Sequence, residues 1–155
     1  MVTELVNAGF KVTVLTRESS DSKVPDGVAV KKVDYTSVDS LKPALEGQDA
    51  VVSVLGTMAT GNQQPLIDAA IAVGVKRFIP SEFGVNTRKV IGKPLGGVLG
   101  TKIKTVDYLE EKAKENPNFT WTGISNGFFF DSVRSSIPSR PSQVVSVDDT
   151  GVDLI

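Results

Sequence analysis

The stretch that decides the reading is Val75-Lys76-Arg77-Phe78-Ile79-Pro80-Ser81-Glu82-Phe83-Gly84. It begins as an apolar, β-prone run and ends in a Pro-Ser-Glu-Phe-Gly loop. In an open α/β sheet, ligands bind at loops that leave the C-terminal ends of strands. The segment therefore reads as a strand followed by the rim of a site.

Outward from it, strand and helix patterns alternate. Residues 11–16 (Lys-Val-Thr-Val-Leu-Thr) form a β-branched run, residues 28–33 a second, and residues 49–55 (Asp-Ala-Val-Val-Ser-Val-Leu) a third. Residues 75–79 make the fourth strand and 119–124 the fifth. Before the first of these, Val2, Leu5, Val6 and Phe10 fit helical spacing, with Gly9 as the C-terminal cap. Ser37 caps a short helix weakened by Pro43. Asn62 caps another that keeps Pro65 in its tolerant first turn, and Gly74 ends it. Residues 85–100 read as a long loop with five Gly or Pro. Thr101 is placed as the cap of a helix running to about Glu115, with Ile103, Val106, Leu109 and Ala113 near one face. Strands joined by helical crossovers imply a mostly parallel sheet in an α/β fold.

The chain has 155 residues, 40% of them apolar, enough for about one domain with a real core. Seventeen Lys and Arg against eighteen Asp and Glu leave no basic stripe for nucleic acid. Cysteine and histidine are both absent. That excludes disulfides, thiolate chemistry, Ser-His and Cys-His nucleophiles and the usual zinc sites, so no metal site is expected. No apolar run approaches the ~20 residues that span a bilayer. Glu4 and Asn7 stand where a secretory signal would be greasy, so a cytoplasmic location is the expectation.

Together the Val75–Gly84 string, the Lys102-Ile103-Lys104-Thr105-Val106 register and Asn126-Gly127-Phe128-Phe129-Phe130 resemble the NmrA-like, isoflavone-reductase-like family of atypical short-chain dehydrogenases. The likeness runs from residue 1 to about residue 131. It implies a Rossmann-type, mostly parallel, doubly wound sheet with NADP(H) as cofactor. It also implies two departures. The chain starts inside a helix, so the first strand and its glycine-rich loop are lacking. The run at 11–16 is then the second strand and that at 49–55 the fourth, with a gap between two edges of one sheet. Each buried ladder group left unpaired there would cost ~1–3 kcal/mol. Residues 1–131 thus read as an incomplete cofactor domain, and 132–155 as the start of a truncated substrate subdomain.

Site residues follow from the same comparison. Thr16, Arg17 and Ser19 stand at the end of the first β-run. An Arg there accommodates a 2′-phosphate, which favours NADP over NAD. The alternative is a solvated loop Arg. Gly56 and Thr57 close the next run, where a Gly allows backbone to approach a ligand; an ordinary turn fits equally. Pro80, Ser81 and Glu82 fall on the cofactor side of the rim, with Phe83, Gly84, Asn126 and Phe128 on the substrate side. The resemblance implies that Lys102 acts near the nicotinamide as general acid/base or as orienter of a substrate oxygen, with Lys104 as a rival for the register. A lysine does such work where its surroundings ease loss of the proton. Tyr108 and Lys112 make a Tyr-x-x-x-Lys spacing, but Tyr108 lies about 240° around the helix from Lys102, so the pair is discounted. Trp121 is assigned to the core, and Asp148, Asp149 and Asp153 to a solvated tail. The implied activity is NADPH-dependent reduction of a small, aromatic or phenolic substrate. The alternatives are a dinucleotide-sensing regulator with a protein partner, or an inactive fragment.

Overall fold

The computed structural model describes residues 1–20, 23–56, 59, 61 and 63–127. Five strands and five α-helices follow one another in the order α1 (Val2–Asn7), β1 (Thr13–Thr16), β2 (Ala29–Lys32), α2 (Val38–Leu45), β3 (Ala50–Val52), α3 (Gln63–Ala72), β4 (Arg77–Ile79), α4 (Pro94–Val98), α5 (Gly100–Glu115) and β5 (Thr120–Trp121). Among the described residues, all the strand pairings are parallel. The result is a Rossmann-type α/β arrangement.

The ladders show the gap expected between the runs at 11–16 and 49–55. Among the described residues β1 pairs only with β2, and β3, β4 and β5 form a separate three-stranded ladder with β4 in the middle. The edges of β1 and β3 do not close on each other. Side chains join the two units instead. Val33, just past β2, belongs to the same buried cluster as Leu41, Leu45, Ile67 and Phe78, and Leu15 and Tyr35 pack against it. The Tyr35 hydroxyl donates to the Leu15 carbonyl (2.7 Å). Lys31 Nζ reaches the carbonyls of Ala44 (3.1 Å) and Pro43 (3.3 Å). These lie in the last turn of α2, where carbonyls have no intrahelical partner.

The core itself lies between α2, α3, α5 and the three-stranded ladder. Phe78 is fully buried in β4 and meets Phe119 with ring centroids 6.4 Å apart. Helix α2 runs through Pro43 because its buried face of Leu41, Ala44 and Leu45 outweighs a hydrogen bond lost near the helix end. Ser37 caps it, accepting from Ser40 N–H at 3.2 Å. At Gly74 (φ 81°) the chain leaves α3 through paired bonds, Val75 N–H to Ala70 O and Gly74 N–H to Ile71 O. That closure needs a left-handed residue, which glycine adopts without a Cβ penalty.

Four readings change. Helix α1 buries none of its residues, and Phe10 beyond it is 64% exposed, so its apolar stripe covers no core here. Residues 85–100 are not a bare loop: Asn86 caps a 3-10 turn over Thr87–Val90, and Pro94 opens α4. Thr101 lies inside α5 rather than capping it, because Leu99 holds the N-cap position. The fifth strand is reduced to Thr120–Trp121. The cap assigned to Asn62, the boundary near residue 131 and the acidic tail lie outside the described residues.

Replacing Phe78 by Ala leaves a cavity at the contact of β4, α5 and Phe119. Urea unfolding should show a loss of about 3–5 kcal/mol; a loss below about 1 kcal/mol would contradict this placement of the core.

Candidate active site

Loop 80–84 leaves the C-terminal end of β4 and is fixed from several directions. Pro80 is fully buried. Ser81 N–H donates to Gln63 Oε1 at the start of α3 (2.8 Å), and Ser81 Oγ donates to Leu55 O (2.5 Å). The second bond ties the loop to the chain just before Gly56. Glu82 N–H turns back to Pro80 O (2.8 Å). Phe83 follows at φ 23°, a sparsely populated region for a non-glycine residue that costs about 1–3 kcal/mol. Gly84 O accepts from Gly127 N–H (3.0 Å), which brings the segment after β5 to the loop, with exposed Asn126 beside it.

Lys102 enters from the first turn of α5. It is 8% exposed, and its Nζ donates to the backbone carbonyl of Glu82 at 2.7 Å. Lys104, the rival for the register, is exposed, whereas Lys102 is buried. The Glu82 side chain is also buried, and Thr87 Oγ1 donates to its Oε2 (2.7 Å). Burial pushes the Glu82 carboxyl above the ordinary carboxylate range. The Thr87 hydrogen bond and the charges of Lys102 and Arg88 act against that rise. Arg88 in turn bonds Asp107 (2.5 Å) and Glu110 (2.6 Å) on α5.

A cleft of about 30 Å³ opens beside Glu82, with Thr87, Arg88, Trp121, Gly123 and Ser125 on its walls. It has the volume of about one water molecule. Trp121 packs on the core, as assigned, and also faces this cleft. A Cβ on Gly123 would meet the Trp121 ring at 3.3 Å, so the glycine keeps the cleft open.

Thr16, Arg17 and Ser19 lie on the other ladder. Arg17 and Ser19 are exposed on a turn closed by Ser20 N–H to Arg17 O. Lys32, missed in the sequence, binds the carbonyls of Glu18 and Ser20 and shapes this turn. Thr16 Oγ1 at the end of β1 and Ser53 Oγ just after β3 are buried without a hydrogen-bond partner. Such groups are costly unless something completes them. Gly56 is exposed, and open space surrounds the place of its missing Cβ. Thr57 and Phe128 lie outside the described residues. The Tyr108 hydroxyl donates to Asp68 on α3 (2.5 Å), and burial, then this carboxylate, raises its pKa. Tyr108 is therefore a strut between α3 and α5.

The sequence matches a recognised family. The NmrA-like family model covers residues 1–152. The chain belongs to the NmrA-like family. Oxidoreductase aprR of Aspergillus flavus is 42% identical over 125 residues, which are 79% of this chain and 41% of that protein. An isoflavone reductase homolog of Zea mays is 39% identical over 105 residues, 66% of this chain and 32% of that one. A binary complex of leucoanthocyanidin reductase with NADPH from Vitis vinifera superposes with a TM-score of 0.66 at 25% identity, covering 80% of this chain and 42% of the other. The chain thus spans between about a third and two fifths of the length of these relatives.

The raised Glu82 carboxyl makes stability depend on pH. With a folded pKa above the 4.5 of an ordinary Glu, the native state holds the proton more tightly. The resulting stabilisation is present below that value and is lost as pH rises through the folded pKa. Glu82→Gln keeps an acceptor for Thr87 and removes the titration. In urea unfolding, its stability relative to the parent should rise between about pH 4 and pH 7; a constant difference would contradict the buried carboxylate.

Proposed function

We propose that this chain forms the dinucleotide-holding part of an NADP(H)-dependent reductase for a small aromatic or phenolic substrate, with Lys102 handling the proton. The observation that carries the reading is the buried Lys102 ammonium set against the Glu82 carbonyl at the C-terminal end of β4. That strand end is where ligands sit in open α/β sheets. The NADPH held by the leucoanthocyanidin reductase supports the cofactor, and the fungal oxidoreductase supports the class.

The residues present suit a dinucleotide. Thr16 Oγ1 and Ser53 Oγ are buried hydroxyls in want of partners, as a polar ligand laid across the strand ends would provide. Arg17 is exposed and cationic, suited to a 2′-phosphate, with Ser19 beside it. Gly56, Pro80, Ser81 and Glu82 would form the wall behind the ligand, Thr57 being assigned there from sequence. Phe83, Gly84 and Asn126, with Phe128 from sequence, would face the substrate. When bound, NADPH supplies a hydride equivalent.

The part left to the protein is proton placement. Lys102 holds one hydrogen bond to Glu82 O, which fixes its stem, and its remaining N–H groups can meet a substrate oxygen. From there it can give a proton to that oxygen or hold it in place.

Titration followed by Trp121 fluorescence, the single tryptophan of the chain, tests the cofactor. NADPH should bind more tightly than NADH, and Arg17→Glu should erase the difference, a loss of about tenfold or more. Equal affinities in the unaltered chain would refute the Arg17 assignment. Lys102→Ala should retain NADPH binding and lower its oxidation by a panel of phenolic and enone substrates by about 10²–10⁴-fold. Binding by the unaltered chain without any turnover would instead favour a dinucleotide sensor.

A further inference from the structure

We propose that Thr87 is a positioning residue for Lys102, acting through Glu82. The reading rests on the placement of Lys102 at the reacting end, and adds a residue that is outside the loop and outside the helix that carries the lysine. Thr87 is 2% exposed, at the start of the 3-10 turn that Asn86 caps. Its hydroxyl donates to Glu82 Oε2, while the carbonyl of the same Glu82 accepts from Lys102 Nζ, each at 2.7 Å. One residue is thus held at both its side chain and its backbone, by groups from two different elements.

The ring closes through Arg88. It follows Thr87 in the turn and bonds Asp107 and Glu110, one and two turns further along the helix that bears Lys102. The path runs from Lys102 to Glu82, to Thr87, to Arg88, to α5 and back. A hydrogen bond to a charged acceptor is worth more than a neutral one. The charges facing Glu82 are Lys102 from α5 and Arg88 from the turn, and Arg88 is already engaged by two carboxylates. The cleft walls from β5 onward, Trp121, Gly123 and Ser125, and Gln63 from α3, carry no charge. Thr87 is therefore the neutral donor that orients the Glu82 carboxyl beside the lysine and opposes the rise that burial imposes on its pKa. Without that bond the buried carboxyl takes up a proton more readily, and Lys102 loses a neighbouring negative charge.

The test needs neither nucleotide nor substrate. Trace acetylation of the full chain with acetic anhydride over a pH series, read peptide by peptide by mass spectrometry, follows each lysine separately. In Thr87→Val the pH profile of Lys102 labelling should move to lower pH, with labelling on its rising limb up about three- to tenfold. Lys104 and Lys112 should keep their profiles, and Thr87→Ser, which retains the donor, should restore the parent behaviour. A Lys102 profile unchanged in Thr87→Val, or a Thr87→Ser that behaves like Thr87→Val, overturns the proposal. Should Thr87→Val fail to fold, Glu82→Gln carries the test, with the same shift expected and an unshifted Lys102 overturning it. Failure of the parent chain to bind NADPH would defeat the reductase reading and leave this result standing.

Discussion

An ammonium group cannot be taken out of water without an acceptor, and the Glu82 carbonyl is the acceptor that lets Lys102 be buried. Much of the local structure serves that contact. The carbonyl points at the lysine because the loop turns sharply after Pro80, and the backbone of Phe83 accepts a strained conformation to complete the turn. The turn stays in place because Ser81 is bonded on both sides, to the start of α3 and to the end of the chain leaving β3. The position of a single amine is thus fixed by three elements of secondary structure.

The rest of the molecule is held less tightly. Parallel strands draw stability from neighbours on both edges, yet β1 and β3 each have one ladder partner among the described residues. The β1–β2 unit is attached by Val33, Leu15 and Tyr35 against the core and by Lys31 on the end of α2. The unpartnered hydroxyls of Thr16 and Ser53 fall at the C-terminal ends of these two strands. The one-sided strand edges and the proposed ligand position therefore coincide, which is the expected place for a polar guest to add stability by linkage.

The elements with strong local signals were legible in the sequence. The β-branched runs, the cap at Ser37 and the closure at Gly74 follow from side-chain chemistry within a few residues, whereas Lys102 is singled out by the family resemblance and its burial shows only in the fold. What was not legible depends on partners distant in sequence. Gln63 reads as an ordinary first-turn residue, and only the fold shows it holding Ser81 from eighteen positions away. Thr87 sits in a stretch whose glycines and proline suggest a bare loop, while Asn86 and Pro94 in fact start two short helical turns there. The exposed stripe of α1 misled for the opposite reason: helical spacing reports which face is apolar, not what covers it. Tyr108 donates to Asp68, forty positions away, a partner that spacing along its own helix does not show.

The most direct measurement of the lysine's grip on its loop is amide hydrogen exchange in Lys102→Met, which keeps a long apolar stem and removes the donor. The account predicts that exchange at Gly127 N–H, bonded to Gly84 O, and at Ser81 and Glu82 accelerates by about tenfold, equivalent to about 1.4 kcal/mol of local stability. Thr122 N–H, bonded to Phe78 O in the core ladder, should exchange as before. Unchanged protection at Ser81, Glu82 and Gly127 would contradict the claim that this one buried contact organises the site.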